Sequence, residues 1–349
     1  MGSVKDLKIL EPATEEKPGT GEFIFSDRYS VFDWGEMPDH IPMKGVSIAI
    51  ATAYFFEKIE EKLMKTHYMG LVENGEAKKL KELEKPSNIL RFRLLRVIKP
   101  ALKENGEYDY SVYAELAEKK KGNFLIPLEV IYRNSLPEGS SVFKRLKSGS
   151  VKPEDLGLKK MPVPGQKLEK PILDVSTKLE ATDRYITWKD AQKIAGLSNG
   201  ELRKIKTMTL EIDELITQEV KRLKLSNEDG KVEYGFDEER NLILVDAVGT
   251  LDECRFTYDL EGRKVHVSKE VARVFYRQTD WYKEVEKAKR EDRINWKKLV
   301  KTPPPKLPEE LLKSISWMYQ AYANELTGRK WFDAPPLEEA VRIAIKYIS

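Results

Sequence analysis

Apolar and polar positions alternate along this chain with two different periods, and the change of period marks its elements. "KGVSIAIATAYFFEKIEEKLMK" repeats its apolar side chains at helical spacing and gathers charge at its end, which predicts an amphipathic helix from about Val46 to Lys65. Ahead of it, the turn-rich loop "EPATEEKPGTGE" leads into a short strand, "FIF", that stops at Ser26, Asp27 and Arg28. "ILRFRLLRVIKP" and "FLIPLEVIYRNS" are rich in branched residues and read as strands with basic or polar ends. From about Val151 to Lys170, Pro153, Pro162 and Pro164 with Gly157 and Gly165 predict a linker, either a crossing between lobes or a flap over a site. Ser198 then caps a long helix whose apolar face runs through Leu202, Ile205, Met208, Ile212, Leu215, Val220 and Leu223. Beyond it "KVEYGF" and "LILVDAV" form a hairpin through "DEERN", and the last third is helical, broken by "TPPPKLP". There is no internal repeat.

The hairpin carries an acid, Asp246, at the end of a greasy run. Burying an unpaired carboxylate there costs several kcal/mol, so a cation must compensate it. Residues two apart share a strand face, which puts Lys231, Glu233 and Gly235 on one side of the first strand and Leu242, Leu244 and Asp246 on one side of the second. If the connection holds four or six residues, Glu233 and Asp246 meet on one face with Lys231 beside them; five residues split them. Two carboxylates this close repel unless a divalent cation bridges them, and Mg²⁺ that keeps waters and phosphate oxygens suits so few hard ligands. The plainer alternative is a surface ladder of Lys231 and Glu233, with Asp246 capping a turn.

Composition narrows the class. The 349 residues are 40% hydrophobic, enough for one large core or two ordinary ones, which predicts two lobes. Charged residues make up 34%, yet 61 basic and 58 acidic side chains leave only +3, with the signs interleaved. That is an ion-pair-rich surface of a thermophilic kind, and it lacks the concentrated basic patch of a nucleic-acid binder. The single cysteine, Cys254, excludes an intrachain disulfide and a thiolate metal cluster. No run approaches a membrane span and no signal-like stretch opens the chain, so the expectation is a cytoplasmic protein without membrane or nucleic-acid partners.

Six segments, in order, resemble the SAICAR synthetase family of purine biosynthesis: "GSVKDL", "FSDRYSVFDWGEMPDHIPMKG", "IPLEVIYRNSLPEGSSVFKRL", "PILDVSTKLEATDRYIT", "GKVEYGFDEERNLILVDAVGTLDECRF" and "LPEELLKSISWMYQAYANELTGRKW". The resemblance implies an α+β fold of two lobes, residues 1–105 covering a nucleotide and residues 106–349 carrying the ribotide and metal site. It implies an archaeal, thermophilic ligase that joins aspartate to the carboxylate of carboxyaminoimidazole ribotide with ATP and Mg²⁺, through an acyl phosphate. Its partners are then small molecules, and a dimer, common among relatives, stays open.

Family roles carry over position by position. In "D-x-K-x-E-x-G", Lys231 faces nucleotide or substrate anion and Glu233 helps hold Mg²⁺ with Asp246; these three form the catalytic set. Lys5 contacts nucleotide phosphate. Arg255 holds substrate phosphate, a role its forked geometry suits. Glu129 and Arg133 face the ribotide, and the turn of Gly139 and Ser140 approaches its phosphate. Ser26, Asp27, Arg28 and Asp33 line the substrate cleft, and Lys44 with Gly45 opens the first core helix, whose N-terminus suits an anion. Departures from the family fall at Ser3 in place of a lysine, at Ala247 after the metal acid, at "TLDECR", in the spacing between Ser140 and Lys144, and at Thr182 to Tyr185. They leave two alternatives: a paralogue using the same ATP core on another acid or amine, or a nucleotide binder that has lost catalysis.

Overall fold

In the computed structural model, which describes residues 4–292 and 295–348, two antiparallel sheets line opposite sides of one cleft. The first is built from β1 (Lys5–Glu11), β2 (Gly19–Phe25), β3 (Tyr68–Glu73), β4 (Glu76–Lys78) and β5 (Ile89–Leu94), in the order β1-β2-β5-β3-β4, with α1 (Lys44–Lys62) between β2 and β3. A small hairpin, β6 (Ala101–Leu102) and β7 (Tyr108–Asp109), and α2 (Ser111–Glu118) lead to the second sheet. That sheet holds β8 (Phe124–Leu136), β9 (Gln166–Thr177), β10 (Leu225–Phe236), β11 (Leu242–Val245), β12 (Cys254–Leu260) and β13 (Arg263–His266). Its order is β13-β12-β10-β8-β9, with β11 on the far end of β10. Helices α3 (Ser141–Lys147), α4 (Trp188–Ile194) and α5 (Asn199–Lys221) interrupt it; α6 (Lys269–Arg277), α7 (Asp280–Glu291), α8 (Glu309–Thr327) and α9 (Leu337–Ile348) follow. The expected α+β class is what forms.

The second sheet has two unlike faces, and this positions the site. Val130 and Tyr132 of β8 and Val232 and Tyr234 of β10 point into the core beneath α5, where Ile205, Ile212 and Ile216 meet them. Tyr234 carries its hydroxyl into that core by sharing a 2.8 Å hydrogen bond with Thr209 of α5. The alternate residues, Glu129 and Arg133 of β8 and Asp229, Lys231 and Glu233 of β10, fall on the other face. Helix α5 holds its place by a capping box: the Ser198 hydroxyl accepts from Glu201 N–H at 3.2 Å and the Glu201 carboxylate accepts from Ser198 N–H at 2.7 Å.

Several boundaries differ from the sequence expectation. Helix α1 starts at Lys44 and ends at Lys62. It starts early because the Asp27 carboxylate accepts from the Gly45 and Met43 N–H groups at 2.9 and 3.2 Å, satisfying donors that a helix start leaves free. A Cβ at position 45 would lie 2.5 Å from the Phe25 carbonyl oxygen, so only glycine lets the helix press against the end of β2. The first half of "ILRFRLLRVIKP" is β5, and Arg96 continues only as a single bridge to Phe124. Residues 166–170, expected within the linker, are the start of β9, because Lys167 and Gln166 pair with Ser135 and Leu136 of β8. Strand β10 begins at Leu225, and its extra residues pair with β12.

The two sheets are tied together by backbone hydrogen bonds. Leu244 N–H of β11 donates to the Lys65 carbonyl at 3.2 Å, and His67 N–H donates to the Leu244 carbonyl at 3.0 Å. The expected lobe boundary near residue 105 falls in the β6–β7 hairpin, between the sheets, while α8 from the far end of the sequence packs on α1. Among the described residues no helix is long and apolar enough to cross a membrane.

Candidate active site

The cleft between the sheets has a volume of about 500 Å³. One wall is apolar, with Phe23, Phe92, Leu94, Leu95 and Leu125; its floor is charged, with Lys5, Lys178, Lys231, Glu233, Asp246 and Glu253. The connection between β10 and β11 holds five residues, 237–241, and Glu233 pairs with Val245, so regular alternation turns Asp246 away from Glu233. The chain reverses that outcome at one residue. Asp246 leaves the strand with φ +67°, a left-handed conformation that aspartate tolerates better than most residues, and its carboxylate comes round to the cleft.

The cation beside Asp246 is Lys5, whose ammonium pairs with its carboxylate directly. Lys178 donates to Glu233 at 2.5 Å and lies 3.5 Å from Glu129. Lys231 donates to Glu129 at 3.0 Å and stands 3.6 Å from Glu233 and 3.5 Å from Glu253. Three lysines thus face four carboxyl groups, Asp246, Glu233, Glu129 and Glu253. Burial, then the charge of Asp246, pushes the Glu233 carboxyl up to about 8 against the pull of Lys178 and Lys231. Burial acts on Asp246 in the same direction, but Lys5, Lys178 and Lys231 outweigh it and hold that carboxyl far below the usual range. Glu129 is also lowered: Lys231 and Lys178 outweigh its burial. Among the described residues no three His, Cys, Asp or Glu side chains converge as a self-sufficient metal site.

Along β10, Asp229 shares its face with Lys231 and Glu233, roughly 13 Å from Glu233 at strand rise. Around it lies a nest of arginines. Arg255 donates from Nε to Asp229 at 2.7 Å and from its Nη2 to the other oxygen, a two-pronged contact. Arg133 reaches Asp229 at 3.2 Å and Asp174 at 3.3 Å, and Arg145 also pairs with Asp174. Tyr185 lies against the Arg145 guanidinium, 4.0 Å from ring centre to Cζ, and shares a 2.9 Å hydrogen bond with Ser141. A Cβ on Gly139 would sit 3.3 Å from Arg277 and 3.9 Å from Arg255, so the turn runs close against two guanidiniums.

The expected residues therefore separate into groups. Lys5, Lys231, Glu233 and Asp246 meet in the cleft, and Glu129 joins them there, while Arg133 and Arg255 sit in the nest. Ser140 is not free at the turn, because its buried hydroxyl accepts from Val142 N–H at 3.4 Å and caps α3. Asp27 caps α1 as described, and Ser26 donates to the Val4 carbonyl at 3.0 Å while accepting from Arg28, which in turn pairs with Asp6 at 2.7 Å. Asp33 is exposed and pairs with Lys289 at 3.2 Å. Lys44 is wholly buried against Asp252 at 2.9 Å, where burial lowers its pKa, and so cannot greet an anion at the helix start. Ser3 lies outside the described residues. Sequence reasoning missed Lys178, Glu253, Asp174 and Asp229, although Asp229 stands two residues from Lys231 on a shared strand face. A larger surface hollow, about 760 Å³ between α2, α4 and the start of α5, holds none of this chemistry.

Comparison with known proteins was made against this geometry. The SAICAR synthetase family model matches residues 13–289. A putative phosphoribosylaminoimidazole-succinocarboxamide synthase of Archaeoglobus fulgidus is 53% identical over 342 residues, 98% of either chain. The phosphoribosylaminoimidazole-succinocarboxamide synthase of Thermoplasma acidophilum is 34% identical over 313 residues, 88% of this chain and 93% of that one. Among solved structures, the SAICAR synthase of Saccharomyces cerevisiae in complex with SAICAR superposes with a TM-score of 0.63 at 23% identity, covering 95% of this chain and 94% of that one. A type-2 SAICAR synthetase in complex with ADP gives 0.54 at 22% identity, covering 88% and 99%. At such identities these structural matches establish the fold.

Proposed function

The chain belongs to the SAICAR synthetase family, and on that premise we propose that it is an ATP-dependent ligase joining L-aspartate to the carboxylate of carboxyaminoimidazole ribotide. The observation that carries this reading is the single sheet face on which an acid–lysine cleft and an arginine nest share β10. A ligase of this kind must hold a triphosphate and a phosphate-bearing carboxylate close together, and these are two anion sites on one rigid element. The apolar wall of Phe23, Phe92 and Leu125 suits a nucleotide base, with Lys5, Lys178 and Lys231 beneath it for phosphate oxygens. Arg255 and Arg133 hold the ribotide from the nest, and Glu129, opposite Glu233 in the cleft, orients it through the lysines it binds.

Mg²⁺ fits the donor set. Glu233 and Asp246 line the cleft together, a bound cation would favour the ionised form of Glu233, and two acids alone suit a metal that brings phosphate oxygens and waters as its other ligands. Glu233 and Asp246 would hold it. When bound, the ion neutralises charge on phosphate oxygens. In the ligand-free chain Lys5 and Lys178 neutralise those same acids, and nucleotide phosphates compete for both lysines, so nucleotide and metal binding reinforce one another. The same reading gives the enzyme cytoplasmic work on small molecules, and its dense surface ion pairs support a heat-tolerant protein.

The test is ATP turnover that requires both carboxyaminoimidazole ribotide and aspartate, with heat-stable rescue of a purine auxotroph lacking this step. ATP turnover that proceeds equally with another acid in place of the ribotide would instead make the chain a paralogue.

A further inference from the structure

His67 has no part in the roles described so far, yet it touches the residue on which the cleft turns. Its ring is 3% exposed and stands among three aromatic rings, with centroids 4.7 Å from Phe92, 5.4 Å from Phe56 and 6.1 Å from Phe23. From that cage Nε2 lies 3.1 Å from the carbonyl oxygen of Asp246. A carbonyl only accepts, so Nε2 carries the proton and donates. The preceding turn is pinned as well, since Leu244 bonds through its N–H to Lys65 and through its carbonyl to His67 N–H.

These contacts converge on the one backbone conformation that the cleft depends on. Regular continuation of β11 would carry Asp246 to the core face with Leu242 and Leu244; φ of +67° carries it to the cleft instead. A non-glycine residue in that region is disfavoured locally and persists where its surroundings hold it. Two anchors, on residues 244 and 246, come from one short segment, residues 65–67, that leads into β3 of the opposite sheet.

Building on the metal site of the function proposed above, we propose that His67 is a positioning residue for that site: by binding the Asp246 carbonyl it holds the left-handed turn that aims the Asp246 carboxylate at the cation. It lines the cleft beside Phe23 and Phe92, and its one polar contact there is to backbone rather than to a carboxylate. Its effect is on where a ligand points, the usual office of a group behind a metal ligand.

The experiment compares wild type, His67→Phe and His67→Gln, measuring Mn²⁺ affinity of the ADP-bound protein by electron paramagnetic resonance, ADP affinity in chelator, and melting temperature. Phenylalanine suits the aromatic cage and lacks the donor; glutamine restores an N–H. We expect His67→Phe to bind Mn²⁺ at least about tenfold more weakly, with metal-free ADP affinity unchanged, and His67→Gln to recover most of the loss. Wild-type Mn²⁺ affinity in a folded His67→Phe overturns the proposal while leaving the metal site standing. A wild type that binds no Mn²⁺ with ADP overturns both. If His67→Phe fails to fold, the long-range ¹⁵N–¹H spectrum of the wild-type ring decides: a proton on Nε2 supports the clamp, and a proton on Nδ1 alone overturns it.

Discussion

The acid–lysine cleft and the arginine nest lie on the same strands, yet they hold charge in different ways. In the cleft the Lys5, Lys178 and Lys231 side chains are 17%, 25% and 33% exposed; in the nest Arg133 is 2% exposed at its centre, with Arg145 and Arg255 at 15% and 21% on its rim. Lysine is a point charge on a flexible stem, and each cleft lysine can swing from carboxylate to phosphate without disturbing the sheet. Arginine presents a planar fork, and the nest locks its forks onto Asp174 and Asp229 across four strands. The difference teaches that exchangeable pairs mark where ligands with variable charge come and go, and fixed pairs mark where one anion is to be met in one orientation. It also implies that the two regions fail differently when a charge is removed.

The largest effect should come from breaking the nest. Asp229→Asn takes away the negative charge and one of the two oxygens shared by Arg133 and Arg255, and removing one partner of a buried ion pair typically costs about 3–5 kcal/mol. Thermal unfolding should show a fall of several degrees or more. The counterpart in the cleft, Glu233→Gln, should leave the melting temperature level or raise it, because burial already pushes that carboxyl up to about 8. Equal losses in the two variants would erase the distinction between the regions.

Next in size is a loss of activity without a loss of fold. Asparagine tolerates the left-handed backbone of position 246 and keeps the carbonyl that His67 binds, so Asp246→Asn removes charge alone. Turnover should fall at least about a hundredfold, since metal and oxyanion stabilisation contribute several kcal/mol to such transition states. A Mg²⁺ titration of ATP-dependent turnover, beside the melting curve, reads both quantities. Near-normal turnover at low Mg²⁺ would return Asp246 to the plain role of partner to Lys5.

Arg255→Lys probes the nest more gently. It keeps the charge and loses the fork on Asp229, so the KM for the ribotide should rise about tenfold, equivalent to roughly 1.4 kcal/mol, while the KM for ATP stays put. A rise confined to ATP would assign Arg255 to the wrong region.

How far these regions were legible in the sequence follows from what each depends on. Helix α5 announced itself because Ser198 and the apolar spacing are local signals, and "KVEYGF" put Lys231, Glu233 and Gly235 on one face because strand alternation is local too. The meeting of Glu233 with Asp246 was not legible in this way. The five-residue connection argues against it, and the turn that restores it depends on Lys65 and His67, nearly 180 residues distant in sequence. Lys5 had no alternation strong enough to reveal β1, an edge strand whose Leu7 and Ile9 stay exposed. Asp27 looked like a cleft residue because the unpaired N–H groups of α1 that it satisfies exist only once α1 is docked. Lys178 directly follows β9 inside a segment that resembles the family, but its partner Glu233 lies on a strand two places away from β9 in the sheet.

The smallest effect lies beneath the nest, on the apolar face of the same sheet. Asp213 of α5 is buried, and its Oδ1 accepts from Asn134 of β8 at 2.7 Å and from Asn227 of β10 at 2.9 Å. Burial pushes its carboxyl up from 3.8 to about 6, more than the bonds from Asn134 and Thr217 pull it down. An acid whose pKa is higher folded than unfolded is protonated more readily in the folded state, so its contribution to stability is present below the unfolded pKa and is lost as pH rises through the folded one. The window therefore runs from about pH 4 to about pH 6, and after allowance for partial solvent screening the loss between pH 5 and pH 8 should be on the order of 1 kcal/mol. Asp213→Asn keeps an oxygen for both asparagines and cannot ionise, so it should remove that part of the pH dependence and melt higher than wild type at pH 8, with the two converging near pH 4. Parallel melting curves at pH 5 and pH 8 check this. If the variant instead melts lower at pH 8, the ionised carboxylate is stabilised by the two asparagines, and the support of the nest depends on charge as the nest itself does.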